Sequence, residues 1–278
     1  MEPAHFTIPA RPVLGIIGGL GRMGRWLEKR LAACGHQVLI ADARGRAPDR
    51  DFLRACQVLV LAVPVGQVGP LMEQIGPHTR EDGLVLDIAS LKQEPLQAML
   101  ARARGAVVGT HPLFGPFTEN PAGQTVFICP GRGRAWLGWV QKLVRAAGAE
   151  PVLMDPREHD RLMARVQTLR HLALYGLGRA LMRLDFDPER ELELAGPWFQ
   201  ELYALLQHQV RQPARLYAEL ARQNPAGTQA ARALAQGLRE LAQALESGDQ
   251  EALEALMGEV EDFVAPGREW LDAGRALG

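Results

Sequence analysis

The sequence predicts an α/β protein: a Rossmann-type, mostly parallel sheet followed by an all-helical C-terminal domain. Three observations carry this expectation. Short apolar runs alternate with helical patterns from residue 13 to about 154, as parallel strands joined by crossover helices require. The first run opens directly into a glycine-rich loop and a helix. Beyond Asp155 strand-like runs cease, and apolar residues recur at helical spacing.

Strands are predicted over 13–17, 38–41, 58–63, 84–88, 106–109, 126–129 and 152–154. Between the first two, Met23, Leu27, Leu31 and Cys34 share one helical face, and Gly35 supplies a left-handed stop. After the sheet, 157–184 reads as one long helix with Leu162, Val166, Leu169 and Leu172 or Ala173 on a stripe. Leu234, Leu238, Leu241 and Leu245 form another stripe. Ser247 or Asp249 can cap a further helix carrying Leu253, Leu256, Val260 and Phe263. The predicted division is a nucleotide-binding domain over 1–160 and a helical substrate and dimerisation domain over 161–278. The apolar wealth of these helices predicts burial against a second copy, a homodimer through the helical domain, although an intrachain core would leave the same stripes.

With 278 residues, 47% of them hydrophobic, the chain can fill sizeable cores. Its 31 basic and 32 acidic residues leave a formal charge of -1, so nothing draws it to nucleic acid or membrane. A small molecule is the expected partner. Cys34, Cys56 and Cys129 stand far apart without a CxxC pair, which predicts neither a disulfide framework nor a zinc site, but three packing residues in a reducing compartment. Residues 1–12 lack a charged leader and apolar run, and no stretch has the roughly eighteen apolar residues of a membrane span, so a cytoplasmic protein is expected.

The first predicted strand runs into Gly18-Gly19-Leu20-Gly21-Arg22-Met23-Gly24, in which Gly19, Gly21 and Gly24 have the GxGxxG spacing. In such a loop the first glycine permits the tight turn, the second lets backbone N–H groups reach a pyrophosphate, and the third lets helix and strand approach. The helix N-terminus then faces the negative charge. Glycine alone is weak evidence, since 29 of the 278 residues are glycine; the preceding strand, the following helix and Asp42 at the end of the next strand strengthen it. Asp42 can hold both ribose hydroxyls and would repel a 2'-phosphate, which favours NAD over NADP; Arg44 and Arg46 argue the other way. Leu20, Arg22 and Met23 in the loop, Val63 and Pro64 after the third strand, and Ser90 complete the expected cofactor set.

Of seven histidines, His111 stands out. It lies in Gly109-Thr110-His111-Pro112-Leu113-Phe114-Gly115-Pro116, expected as a loop leaving the carboxyl end of a strand, where open parallel sheets bind ligands. A neutral imidazole, with an ordinary pKa of about 6.5, can accept a hydroxyl proton while hydride leaves the same carbon. Asp87-Ile88-Ala89-Ser90-Leu91-Lys92 follows the preceding strand. Ser90 can orient His111 or touch the nicotinamide, and Lys92 can attract an acidic substrate or pair with Asp87. The plainer alternatives are a histidine bracing a turn and a serine capping the next helix.

Gly18 to Gly24, Asp87 to Lys92, His111 to Pro116, Glu158-His159-Asp160 and Leu169-Arg170-His171 together resemble prephenate dehydrogenases in order and spacing, over about 13–262. The likeness is nearest to the dehydrogenase part of bifunctional enzymes that also carry chorismate mutase, for which this chain leaves no room. It implies NAD-dependent oxidative decarboxylation of prephenate to 4-hydroxyphenylpyruvate in tyrosine biosynthesis, with His111 as catalytic base and no metal. It further implies that Ser90 positions His111, and that Gln124 and His171 line the pocket. His159 is left between the pocket and a tie at a helix start.

Prephenate carries two carboxylates, for which bidentate arginines are suited. Two positions that are arginine in related members align with Gln200 and Ala226; Arg170 and Arg222 are the nearest substitutes, with Arg211 and Arg215 also close by. Arogenate or 4-amino-4-deoxyprephenate is therefore an alternative substrate, and a non-catalytic nucleotide-binding regulator a third reading. A β-hydroxyacid dehydrogenase would place a lysine on the long helix, but the only lysines are Lys29, Lys92 and Lys142.

Overall fold

The computed structural model describes residues 7–265. The chain divides into two compact units, Met1–Gly227 and Thr228–Gly278. A seven-stranded sheet organises the first. In sequence order it contains β1 (Leu14–Ile17), α1 (Arg22–Ala33), β2 (Val38–Ala41), α2 (Arg50–Ala55), β3 (Val58–Leu61), α3 (Val65–Ile75), β4 (Leu84–Asp87), α4 (Gln93–Arg102), β5 (Ala106–Pro112), β6 (Thr125–Arg132), α5 (Arg134–Ala146) and β7 (Glu150–Leu153). The strands lie in the order β2-β1-β3-β4-β5-β6-β7. Only the β5–β6 pairing is antiparallel.

β1, β3 and β4 are buried at every position, as strands covered on both faces must be. On one face, Phe52 and Leu53 of α2, Val68 and Met72 of α3, and Leu96 and Met99 of α4 pack into one core. On the other, Leu31 of α1 joins Trp136 and Val140 of α5. Gly35, at φ +81°, ends α1 as a left-handed residue, with its N–H on Ala32 O and that of His36 on Leu31 O. Chain order reverses between β1 and its neighbours β2 and β3, which opens a crevice at the strands' carboxyl ends.

The helices that follow are α6 (Pro156–Met163), a π-helical turn (Ala164–Thr168), α7 (Leu169–Arg183), α8 (Pro188–Glu191), α9 (Pro197–Val210) and α10 (Ala214–Gln223). α6 to α10 stay with the sheet in the first unit. The long helix expected over 157–184 is thus interrupted by one wider turn, and its buried face is not the predicted one. His159, Asp160, Met163, Ala164, Thr168, His171 and Leu174 are buried, whereas Val166 of the predicted stripe is 46% exposed. The second unit contains α11 (Gly227–Ser247) and α12 (Gln250–Val264), where Asp249 rather than Ser247 caps α12 through Ala252 N. Leu238, Leu245, Val260 and Phe263 of its predicted stripes are exposed. No helix among the described residues is long and apolar enough to cross a membrane.

Two sequence expectations are corrected. His111 does not sit in a loop, because β5 continues through Pro112 on its ladder with β6, where His111 faces Phe127. Cys56 and Cys129 are buried, and burial pushes their thiols up to about 11 and about 12, but Cys34, at the C-cap of α1, is exposed.

Candidate active site

The glycine loop follows β1. Gly18, at φ +86°, makes the turn that the spacing assigned to Gly19. A Cβ on Gly18 would lie 2.4 Å from Ala62 O, one on Gly19 2.5 Å from Ile40 Cγ2, and one on Gly24 2.5 Å from Gly18 O. Gly24 therefore lets α1 seat against the loop, as its place in the motif predicts. Gly21 is less crowded: its Cβ would meet only Gly18 O, at 3.1 Å, a tight contact but a single one. As the N-cap of α1, Gly21 offers no side-chain cap, and the first turn holds no acidic residue, which leaves the helix N-terminus to an external anion. Val63 adjoins this loop, its Cγ1 3.1 Å from a Cβ built on Gly18, and Pro64 caps α3 beside it. Arg22 turns across the loop, its Nη1 3.0 Å from Gln212 Oε1, while Met23 is half-buried in the first turn of α1.

Asp42 directly follows β2, with its side chain buried. Its carboxylate accepts Leu20 N at 3.1 Å, Arg44 N at 3.0 Å and Arg44 Nε at 3.0 Å. The Arg44 guanidinium holds this carboxyl below its usual range, with burial opposing. Arg46 is engaged by Asp49, at 2.8 Å. Both arginines just after β2 thus already have carboxylate partners.

At the same edge of the sheet, His111 is 3% exposed. Its Nδ1 lies 2.9 Å from His159 Nε2, and its Nε2 faces Gln167 Nε2 at 3.5 Å. His159, fully buried on α6, places its Nδ1 2.8 Å from Asp160 Oδ1. Phe127, opposite His111 on β6, packs edge-on against the His159 ring at 5.3 Å. Burial, reinforced by the neighbouring His159 ring and the Lys92 ammonium, holds His111 well below the ordinary imidazole range. It is a neutral ring at neutral pH.

Asp160 is the centre of this arrangement. Its Oδ1 and Oδ2 accept Lys92 N at 2.7 Å and Gln93 N at 2.9 Å, capping α4 from a distant helix. Asn224 Nδ2 donates to Asp160 O at 2.9 Å. Ser90 is therefore not the cap of α4, nor does it hold His111: the described residues include no hydrogen bond between them, and Asp160 and His159 take those tasks. Lys92 requires a second correction. It is fully buried, with Nζ on Asp87 Oδ2 and 2.7 Å from Thr110 O, so it cannot greet a substrate. Desolvation raises the Asp87 carboxyl while Lys92 pulls it back, and Asp87 Oδ1 is left without a partner.

Four residues beyond Gln167 on the same helix face, His171 is buried against Tyr217 of α10, ring centroids 4.5 Å apart. Arg170 Nη2 lies 2.8 Å from its Nε2, and burial lowers His171 to about 4. Gln124 stands exposed just before β6, on the edge where β5 ends, and Arg222 is exposed on α10. Neither side chain hydrogen-bonds to the His111 cluster among the described residues. Gln200, an expected arginine position, instead donates to Leu192 O and Ala195 O, both at 3.0 Å. Ala226 lies in the turn that Asn224 Oδ1 closes on its N–H. Reasoning from sequence missed Gln167, and left His159 undecided; the signal available was a run of polar residues, His159, Asp160, Gln167, Thr168 and His171, recurring at helical spacing.

A glycine cradle at the switch point of a parallel sheet, with a neutral histidine at the same edge, defines a Rossmann-type dehydrogenase. Known proteins agree. Residues 28–153 match the family model for the prephenate dehydrogenase nucleotide-binding domain, and 155–259 that for the prephenate dehydrogenase dimerization domain. The chain is 32% identical over 253 residues to a T-protein of Enterobacter agglomerans, covering 91% of this chain and 67% of that one. It is 30% identical over 266 residues to a 4-amino-4-deoxyprephenate dehydrogenase of Streptomyces pristinaespiralis, covering 88% of each. In fold it is similar to a prephenate dehydrogenase from A. aeolicus solved with hydroxyphenyl propionate and NAD+, at a TM-score of 0.72 and 18% identity, covering 94% of this chain and 99% of that one. This chain belongs to the prephenate dehydrogenase family. It spans 67%, 59% and 54% of the length of the T-protein above, a probable arogenate/prephenate dehydrogenase of Methanocaldococcus jannaschii and a T-protein of Haemophilus influenzae.

Proposed function

We propose that the chain catalyses the NAD-dependent oxidative decarboxylation of prephenate to 4-hydroxyphenylpyruvate and carbon dioxide, a step of tyrosine biosynthesis. The observation that carries this reading is the neutral His111 ring at the carboxyl edge of β5, with Nδ1 engaged by His159 and Nε2 turned toward Gln167. The cradle fits a dinucleotide: the α1 N-terminus suits a pyrophosphate, Leu20, Arg22, Met23, Val63 and Pro64 lie in or beside the loop, and Ser90 is assigned to the same site on the sequence resemblance. Asp42 would hold the ribose diol. The pairing of Arg44 with Asp42 and of Arg46 with Asp49 favours NAD over NADP.

When bound, the nicotinamide supplies the hydride acceptor. His111 takes the hydroxyl proton at Nε2, where its depressed basicity keeps it unprotonated and ready. Loss of carbon dioxide is driven by aromatisation of the substrate ring and needs no protein acid. Arg170, beside His171, is the guanidinium assigned to a substrate carboxylate, and the exposed Gln124 and Arg222 complete the substrate set in this scheme.

A second reading has specific support. The 4-amino-4-deoxyprephenate dehydrogenase likeness extends over 88% of both chains, and the expected arginine positions hold Gln200 and Ala226. On that reading the pocket takes an amino analogue or arogenate. The exposed Val166, Leu238, Leu245 and Phe263, with the match to a dimerization domain, favour a homodimer through the helical part, functionally divided at 160/161, working in the cytoplasm. Turnover of prephenate, arogenate and 4-amino-4-deoxyprephenate with NAD and NADP, followed as reduced nicotinamide absorbance, tests the reading. The highest kcat/KM is expected for prephenate with NAD; a higher value for another substrate, or for NADP, replaces that assignment.

A further inference from the structure

We propose that His159, anchored by Asp160, is the positioning residue that fixes the tautomer of His111 and leaves its Nε2 bare. The inference rests on His111 being the base, but its geometry stands by itself. Both Asp160 carboxylate oxygens accept backbone N–H groups, from Lys92 and Gln93. Oδ1, 2.8 Å from His159 Nδ1, is therefore an acceptor, and His159 Nδ1 must carry the proton. In a neutral ring the other nitrogen, Nε2, then has a lone pair. His111 Nδ1 lies 2.9 Å from it and must donate. That leaves no proton on His111 Nε2, the nitrogen directed toward Gln167.

The chain of donors thus runs outward from the base to a carboxylate, the same logic by which a buried acid orients a catalytic imidazole. It also serves the protonated state. Once His111 has accepted a proton at Nε2, its Nδ1–H stays bonded to His159, whose dipole is aligned by the Asp160 charge. A fully buried imidazolium has no water to stabilise it, so this line of groups takes water's place. His159 cannot turn away, because Phe127 packs against its ring and Asn224 and the α4 N-terminus hold Asp160.

Two readouts test this. In the full chain with 15N-labelled histidine, NMR should show the His111 ring, identified by its loss in His111→Asn, protonated at Nδ1 and bare at Nε2. In His159→Phe the His111 proton should redistribute toward Nε2, with kcat falling on the order of 100-fold and the substrate KM changing less than about threefold. His159→Gln, whose amide oxygen can accept from His111 Nδ1, should recover at least about tenfold of that loss. If His159→Phe does not fold, Asp160→Asn keeps the volume and should produce the same redistribution. A wild-type His111 protonated at Nε2, or either variant with the original tautomer and kcat, overturns the proposal. The expected NMR pattern in a chain that turns over no cyclohexadienyl acid would leave the tautomer standing and remove the function instead.

Discussion

The central strands and the α6–α7 helix bury their residues by different means. Apart from Gly15 and Asp87, β1, β3 and β4 exclude water with aliphatic side chains, a term roughly proportional to area and indifferent to direction. The inner face of α6–α7 buries His159, Asp160, Thr168 and His171, each of which needs a partner at a set distance and angle. The first region tolerates exchange of one aliphatic for another of like volume. The second does not, because any lost partner leaves an unpaired polar group in a dry place. What the contrast teaches is where rigidity is spent: the sheet makes the platform, and the polar face of one helix sets the orientation of the ring that does chemistry.

Four measurements break or sharpen that contrast. The largest effect is expected for His111→Asn, which should lower kcat by about 100- to 10,000-fold while leaving unfolding in urea nearly unchanged. A comparable loss of stability would mean that the ring braces the fold instead. Next comes Lys92→Met, which strands the Asp87 carboxylate and should cost about 3–5 kcal/mol of unfolding free energy. Adding Asp87→Leu should return much of it. If Lys92→Met instead raised KM at unchanged stability, the buried pair would be the wrong description.

A third test uses acid. His171 has an unfolded pKa near 6.5 and a folded value of about 4, so the unfolded chain binds more protons between those values. Stability should therefore be full above about pH 6.5 and fall as pH drops toward 4, by up to about 3 kcal/mol for this one group. His171→Phe should flatten the thermal unfolding midpoint over that window; an unchanged slope would remove His171 as the cause. The smallest effect distinguishes two glycines. Gly24→Ala, whose Cβ meets backbone at 2.5 Å, should weaken both folding and NAD binding. Gly21→Ala, with a single contact at 3.1 Å, should change stability by less than about 1 kcal/mol and act chiefly on NAD affinity. Equal stability losses would contradict the division of labour within the loop.

The platform was readable from residue order because apolar runs and glycine punctuation follow local rules. All seven strands lie within a few residues of their predicted places, and Gly35 ends α1 as its position suggests. The end of β5 was not readable: proline and glycine around His111 suggest a loop, but pairing with β6 across twelve intervening residues keeps it a strand. The face of α6–α7 was misassigned for a related reason. Leu162, Val166 and Leu169 make an apolar stripe, and apolar stripes point inward in an ordinary core; here the crevice claims the polar side. The cap of α4, which Ser90 does not supply, likewise comes from Asp160, 68 residues from Lys92, which no local pattern brings near.

Cys34 has a practical outcome. Of the three thiols in the sequence it alone faces solvent, while the other two are enclosed and pushed toward the protonated form. A maleimide dye should therefore couple to the untouched wild-type chain at one place, just beyond the helix that begins at the glycine cradle. Coenzyme titrations could then be followed by fluorescence, without engineering a label into the molecule.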